Sequence, residues 1–295
     1  MKMIYLFLLQ LLFAACKHSS QVLNAQQLYL FSQPVKVEMK GYSGNMMEPF
    51  LSRDGNTLFF NNLNSAPENT NLHWAIKIND SSFQYKGEIA GVNTPDLEGV
   101  PTLDRDSNLY FVSTRNYSQT LSTLYQCHYS NGIGSNVHLV NGVSRLTAGW
   151  VNFDIEVSAD GQSLYFVDSK FDQSGNPSSA DLVIAQKKDS GFERLANTDY
   201  LMHNINTEGL EYAASISADN LVLFFTRVDL PLNANSTPVI LYATRKSISD
   251  PFSVPSKVQS ITGFAEGPSI SADQHILYYH KKENDHFVLY MVREK

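Results

Sequence analysis

Ile155-Glu-Val-Ser-Ala-Asp160-Gly-Gln-Ser-Leu-Tyr-Phe166 decides the fold, because the chain writes this phrase five times. The other copies are Pro49-Phe-Leu-Ser-Arg-Asp54-Gly-Asn-Thr-Leu-Phe-Phe60, Pro101-Thr-Leu-Asp-Arg-Asp106-Ser-Asn-Leu-Tyr-Phe111, Ala214-Ser-Ile-Ser-Ala-Asp219-Asn-Leu-Val-Leu-Phe-Phe225 and Pro268-Ser-Ile-Ser-Ala-Asp273-Gln-His-Ile-Leu-Tyr-Tyr279. Each has a short apolar or small run, an Asp in a turn, then a hydrophobic-aromatic strand. Asp-Gly or Asp-Asn between two such runs marks a hairpin. The turn aspartates lie 52, 54, 59 and 54 residues apart, and a period of that size signals a propeller or a solenoid.

Outward from each hairpin the repeat continues. A third strand is expected around the aligned leucines Leu72, Leu124, Leu182, Leu241 and Leu289, and a fourth near Phe83, Val137, Phe192 and Phe252. Four strands in a repeat of about fifty residues make a propeller blade. After Leu289 the chain runs only to Lys295, leaving the last blade one strand short. The segment Pro34-Val-Lys-Val-Glu-Met39, followed by Gly41 and Glu48-Pro49, matches Pro255-Ser-Lys-Val-Gln-Ser260, followed by Gly263 and Glu266-Gly-Pro268. The N-terminal segment is therefore expected to supply the missing strand and close a five-bladed, all-β propeller over residues 31–295. Such closure leaves no exposed sheet edge.

The repeat resembles the TolB-type (WD40-like) propeller repeat, whose signature is a Pro, a small residue, Ser-x-Asp-Gly and an aromatic strand. Copy two departs from it with Asp104 for Ser and Ser107 for Gly, and copy four with Asn220 for Gly. The resemblance implies a propeller in an extracytoplasmic setting and says little about activity.

With 43% hydrophobic and 12% aromatic residues, the chain is not a mainly disordered one. A formal net charge of −7 argues against nucleic acid, which needs a basic field. Lys2, the apolar run from Met3 and the small residues Ala14-Ala15 before Cys16 read as a secretory signal over 1–16. The small residues before Cys16 resemble a bacterial lipobox, which implies lipidation of Cys16, a tether over 17–30 and a lipoprotein of the cell envelope, periplasmic or attached to the outer membrane. Cys127 then has no disulfide partner and is read as a small buried hydrophobe.

Chemistry is expected where the strands enter the central channel. Every entering loop ends in a carboxylate: Glu48, Glu98, Asp154, Glu211 and Glu266. Arg115, Lys170, Arg227 and Lys281 close four second strands on the same rim, so acids and cations are expected to alternate around the axis. Trp150 and Asn152 come from the third entering loop, with Trp150 placed to stack on a sugar. The long fourth loop (195–210) brings Tyr200 and His203, and His280 is placed near Glu266.

Two readings of this ring stay open. One is a monomeric binding module that recognises an envelope protein or a glycan through these residues. The alternative is a carbohydrate hydrolase or lyase with Asp154, Glu211 and Glu266 as acid, base and positioning groups. No cofactor is called for, though the acids leave room for a divalent cation. There is no Gly-x-Ser-x-Gly elbow, His-Glu-x-x-His or phosphate-binding glycine loop.

Overall fold

The computed structural model describes residues 29–64, 69–172, 175–189, 191–233 and 235–295. Cys16 and the expected signal lie outside them. Among the described residues the strands form five four-stranded antiparallel blades. Blade 1 is Met47–Leu51, Thr57–Asn61, Leu72–Asn79 and Ser82–Glu88; blade 2 is Glu98–Leu103, Asn108–Ser113, Leu124–Ser130 and Ile133–Leu139. Blade 3 is Ile155–Val157, Ser163–Phe171, Pro177–Lys188 and Gly191–Arg194; blade 4 is Leu210–Ile216, Val222–Val228, Val239–Thr244 and Ser256–Lys257. Blade 5 takes Ala265–Ile270, Ile276–Glu283 and His286–Arg293 from the C-terminus and Val35–Lys36 from the N-terminus.

The ring closes as expected. Val35 pairs with Met291 and Lys36 with Tyr290. Each first strand packs on the first strand of the next blade, and that of blade 5 packs on that of blade 1. The closing segment also spans two blades, because Glu38–Lys40 leaves blade 5 and runs parallel to Ser82–Gln84 of blade 1. Tyr29, two residues before the expected boundary of the propeller, is buried beside Phe31, Phe224 and Tyr242. The fourth strand of blade 4 is Ser256–Lys257, not a strand at Phe252. Phe252 is instead buried under the loop, its N–H donating to Leu201 O.

The second strands read as continuous apolar runs because both of their faces are covered. Phe59 packs toward blade 2, while Leu58 and Phe60 pack toward blade 5. Phe224 packs toward blade 5, and Leu223 and Phe225 toward blade 3. The same alternation at Tyr110, Tyr165 and Tyr279 builds one apolar cluster at each blade interface. Each buried aromatic contributes about 2–3 kcal/mol.

The repeated Ser-x-Asp is a turn staple. Ser52 Oγ donates to Asp54 Oδ1 (2.5 Å) and accepts the N–H of Thr57 (2.9 Å), while Asp54 Oδ1 accepts the N–H of Asn56 (3.0 Å). Ser158–Asp160, Ser217–Asp219 and Ser271–Asp273 repeat it at 2.6, 2.6 and 2.5 Å. In blade 2 the carboxylate of Asp104 does the serine's work, accepting the N–H groups of Asp106 and Asn108, both at 2.9 Å. This motif holds blades and carries no chemistry at the axis.

Candidate functional site

Counted back from the turn aspartates, the five entering carboxylates do not share one register. Glu48 and Asp154 stand six residues before Asp54 and Asp160, Glu266 seven before Asp273, and Glu98 and Glu211 eight before Asp106 and Asp219. Four of the first strands carry a β-bulge at one common register, between Met47/Phe50, Gly99/Thr102, Tyr212/Ser215 and Glu266/Ser269, and the carboxylates fall on it or one or two residues before it. Its pivot residues, Glu48, Val100, Ala213 and Gly267, have φ of 47, 54, 51 and 63°. A bulge re-aims side chains locally, so a shift of one or two residues sends a carboxylate into a different environment.

The expected alternating ring is therefore corrected. Glu98 and Glu211, fully buried, turn back into their own blades. Glu98 accepts from Thr94 N (2.6 Å), Thr94 Oγ1 (2.8 Å) and Ser113 Oγ (2.7 Å), and pairs with Arg115 at 3.0 Å. Glu211 accepts from Thr207 N (2.9 Å), Thr207 Oγ1 (2.6 Å) and Arg227 Nε (2.6 Å). Asn93 and Asn206, at the head of the two copied loops, each bond both backbone groups of a third-strand leucine, Leu72 and Leu182, at 2.8–3.0 Å. Arg115 and Arg227 also donate to Val92 O and Ile205 O and lie over Phe111 and Phe225. These are braces between loop and blade.

Asn152 occupies the equivalent position of blade 3 and is likewise buried, donating to Val167 O and Asp168 Oδ1, both at 2.9 Å. Trp150 does not line the channel; its ring carries the Arg145 guanidinium at 4.2 Å. Lys170 is exposed, and Lys281 lies over Tyr290. The 195–210 loop folds as a short helix, Thr198–Met202, whose Leu201 and Met202 pack between blades 3 and 4, leaving Tyr200 exposed and stacked on His203.

Glu48, Asp154 and Glu266 instead come together at the axis. They line one cavity of about 770 Å³ at the mouth of the channel, with walls that include Leu97, Val112, Phe153, Phe171, Tyr212 and Phe264. Asp154 is buried and accepts one hydrogen bond, from Ala213 N (3.0 Å). Burial, then the charges of Glu48 and Glu266, hold its pKa well above the usual carboxylate range. Glu48 accepts from Asn64 Nδ2 (2.9 Å), and burial also raises its pKa. Glu266 differs: Tyr212 OH donates to its Oε1 and His280 Nε2 lies 3.3 Å from its Oε2.

His280 is fully buried and its Nδ1 accepts the backbone N–H of Glu48 at 3.2 Å. Burial works against a charge on this ring, Glu48 and Glu266 work for it, and the balance lies upward. The amide bond nonetheless exists only with Nδ1 unprotonated, which assigns the proton to Nε2, facing Glu266. Gly267 makes room for the group, since a Cβ there would lie 2.6 Å from Glu48 Oε2 and 2.7 Å from His280 Nδ1.

Below the cavity the channel narrows to a void of about 20 Å³, lined in part by Glu48, Phe50, Glu156 and Ser269. There Arg53 Nη2 pairs with Glu156 Oε1 (3.1 Å), and Thr102 Oγ1 donates to Glu156 Oε2 (2.6 Å). Among the described residues no three His, Cys, Asp or Glu side chains are arranged to hold a metal ion. Cys127 is buried, with its thiol pushed up to about 11 by burial. Tyr212, Asn64 and Glu156 were not singled out from sequence. Tyr212 stands one residue after Glu211, inside the first strand of blade 4.

No protein-family model matches the chain, and no curated protein matches it in sequence. Its fold does have solved counterparts. It superposes on the catalytic domain of the GH62 α-L-arabinofuranosidase of Coprinopsis cinerea with a TM-score of 0.55 at 12% identity, covering 90% of this chain and 97% of that one. For an α-L-arabinofuranosidase of Podospora anserina in complex with cellotriose the values are 0.55, 10%, 92% and 97%. For a family 117 glycoside hydrolase of the marine bacterium Zobellia galactanivorans they are 0.52, 10%, 90% and 90%. At these identities the likeness establishes the β-propeller fold.

Proposed function

We propose that the protein is a carbohydrate-active enzyme that hydrolyses glycosides at the cavity formed by Glu48, Asp154 and Glu266. One observation carries this reading: two buried carboxylates, Asp154 and Glu48, and a partly buried third, Glu266, share an apolar-walled cavity with unlike hydrogen-bond partners. Asp154, with its raised pKa, holds a proton and donates it to the leaving oxygen as the glycosidic bond breaks. Glu266, which accepts hydrogen bonds at both oxygens, takes the proton of the water that attacks the anomeric carbon. Glu48 faces the positive charge that develops on the ring. The structural neighbours, glycoside hydrolases among them, support the same reading.

The binding-module reading called on Trp150, Arg115 and Arg227 together with the acidic ring; those three are not among the residues lining the cavity, while Glu48, Asp154 and Glu266 are, which favours the enzymatic reading. The TolB-type likeness of the repeat we assign to turn chemistry that propellers share. Lipidation of Cys16 would hold this activity at the cell envelope. The test is release of reducing sugar from a panel of neutral polysaccharides and aryl glycosides. Turnover of at least one member, lost in Asp154→Asn and Glu266→Gln, is expected; an inert wild-type protein across the panel contradicts the reading.

A further inference from the structure

The cavity has an unbalanced charge. Its lining includes Glu48, Asp154 and Glu266 and, among the described residues, no Lys, Arg or His. The nearest bases are engaged elsewhere: Arg115 and Arg227 in their braces, Lys281 over Tyr290, and His280 behind Glu266 with Nδ1 accepting an amide. Asp154 is 96% buried by its 4% exposure, makes its one hydrogen bond through Oδ2 to a neutral amide, and has no side-chain partner. A buried carboxylate without a counter-charge favours a proton or another cation beside it. Among the described residues no three acids are arranged to hold a bare metal ion. Around Asp154 stand Phe153, Phe171 and Tyr212, with ring centroids 6.0–6.2 Å apart, and aromatic walls favour an organic cation.

We propose that this cavity selects ligands carrying a protonated amine and refuses anionic glycans. Read with the glycoside activity, on which this part rests, the substrate is a sugar bearing a free amino group. The groups facing the amine are Asp154 from blade 3, Tyr212 from blade 4, Glu266 from blade 5, with His280 behind it, and Glu48 from blade 1. Asp154 keeps the proton it donates in catalysis; where Glu48 holds a proton the amine displaces it, so for an amine that stays charged, binding releases a proton and tightens as pH rises.

Calorimetric titration of the folded protein tests this with four probes: the glucosamine trimer, its fully N-acetylated form, a trigalacturonate, and benzylammonium. The glucosamine trimer is expected to bind at least about tenfold more tightly than the acetylated trimer, and the trigalacturonate not at all. Benzylammonium affinity is expected to rise as pH climbs above the ordinary carboxylate range, with proton release. Glu48→Gln should remove the preference for the amine, and Glu266→Gln should weaken it if the first variant does not fold. Equal binding of the three trimers, or no binding of either amine, overturns the proposal. Glycoside turnover without charge preference overturns it and spares the enzymatic reading. Benzylammonium binding with no sugar bound or cleaved supports the amine preference and counts against that reading.

Discussion

His280 Nδ1 accepts the backbone N–H of Glu48 at 3.2 Å, which ties the last blade to the first at the seam where the ring closes. The same ring faces Glu266 through Nε2, so one side chain fastens the toroid and sets a carboxylate at its mouth. Replacing it strands a buried donor and removes a hydrogen bond from Glu266. His280→Ala is expected to cost about 1–3 kcal/mol of stability. Chemical denaturation checks this; a change below about 0.5 kcal/mol would detach the seam from the site.

Stability should fall as pH rises. The folded-state pKa values of Asp154 and Glu48 lie above those of the unfolded chain, chiefly through burial. The native state therefore keeps protons that the unfolded chain releases. Their contribution is fully present below the ordinary carboxylate value of about 4 and is lost as pH climbs through the raised values, at about 1.4 kcal/mol per unit of elevation. Thermal melts across this range should show a decline that is shallower in Asp154→Asn. A wild-type midpoint that climbs with pH contradicts the assignment.

Glu98 is a brace, and the expected phenotype is structural. Glu98→Ala leaves Arg115 and Thr94 without their buried acceptor and should cost about 2–4 kcal/mol. Melting and ligand titration together separate this from a site role. Lost binding in a protein of unchanged stability would place Glu98 in the cavity after all.

The turn residue after each repeat Asp has a left-handed backbone, φ 62–74°, yet Gly fills only Gly55 and Gly161 of the five positions. Ser107 has φ 64°. Ser107→Gly relieves a cost of about 1 kcal/mol and should raise the unfolding free energy by up to that amount. A lower value would mean that the serine is held by more than its turn.

Cys16→Ala is expected to abolish fatty-acid labelling and membrane association while leaving the melting temperature unchanged. Membrane association that survives the substitution contradicts the lipid anchor.

Much of the fold is legible because it repeats. Leu58-Phe59-Phe60 and its four counterparts announce strands covered on both faces, and the match between Pro34–Met39 and Pro255–Ser260 announces the closure. The site is less legible, for a geometric reason. Glu48, Glu98 and Glu266 all end entering loops, but Glu48 is itself the pivot of its bulge, whereas Glu266 stands one residue before the pivot Gly267 and Glu98 two before the pivot Val100. The offset can be counted in the sequence, but the structure is what shows that an offset of eight makes a brace and one of six or seven an axial acid. The copied Asn-Thr-x-x-Leu-Glu segments did carry a hint, since both copies turned out to be the braced ones. Tyr212 and Asn64 gave none, because each gains its meaning from a carboxylate, Glu266 on the next blade or Glu48 across its own loop.

The division of labour between axial acids and braces is tested most directly by the turnover of Glu266→Gln beside Glu98→Gln on the best glycoside of the panel. Activity should drop by at least about 100-fold in Glu266→Gln, which removes the group that activates water. It should stay within about threefold of wild type in Glu98→Gln, whose loss shows in the melting temperature instead. Full activity in Glu266→Gln, or equal loss in both variants, would contradict the assignment of chemistry to Glu48, Asp154 and Glu266.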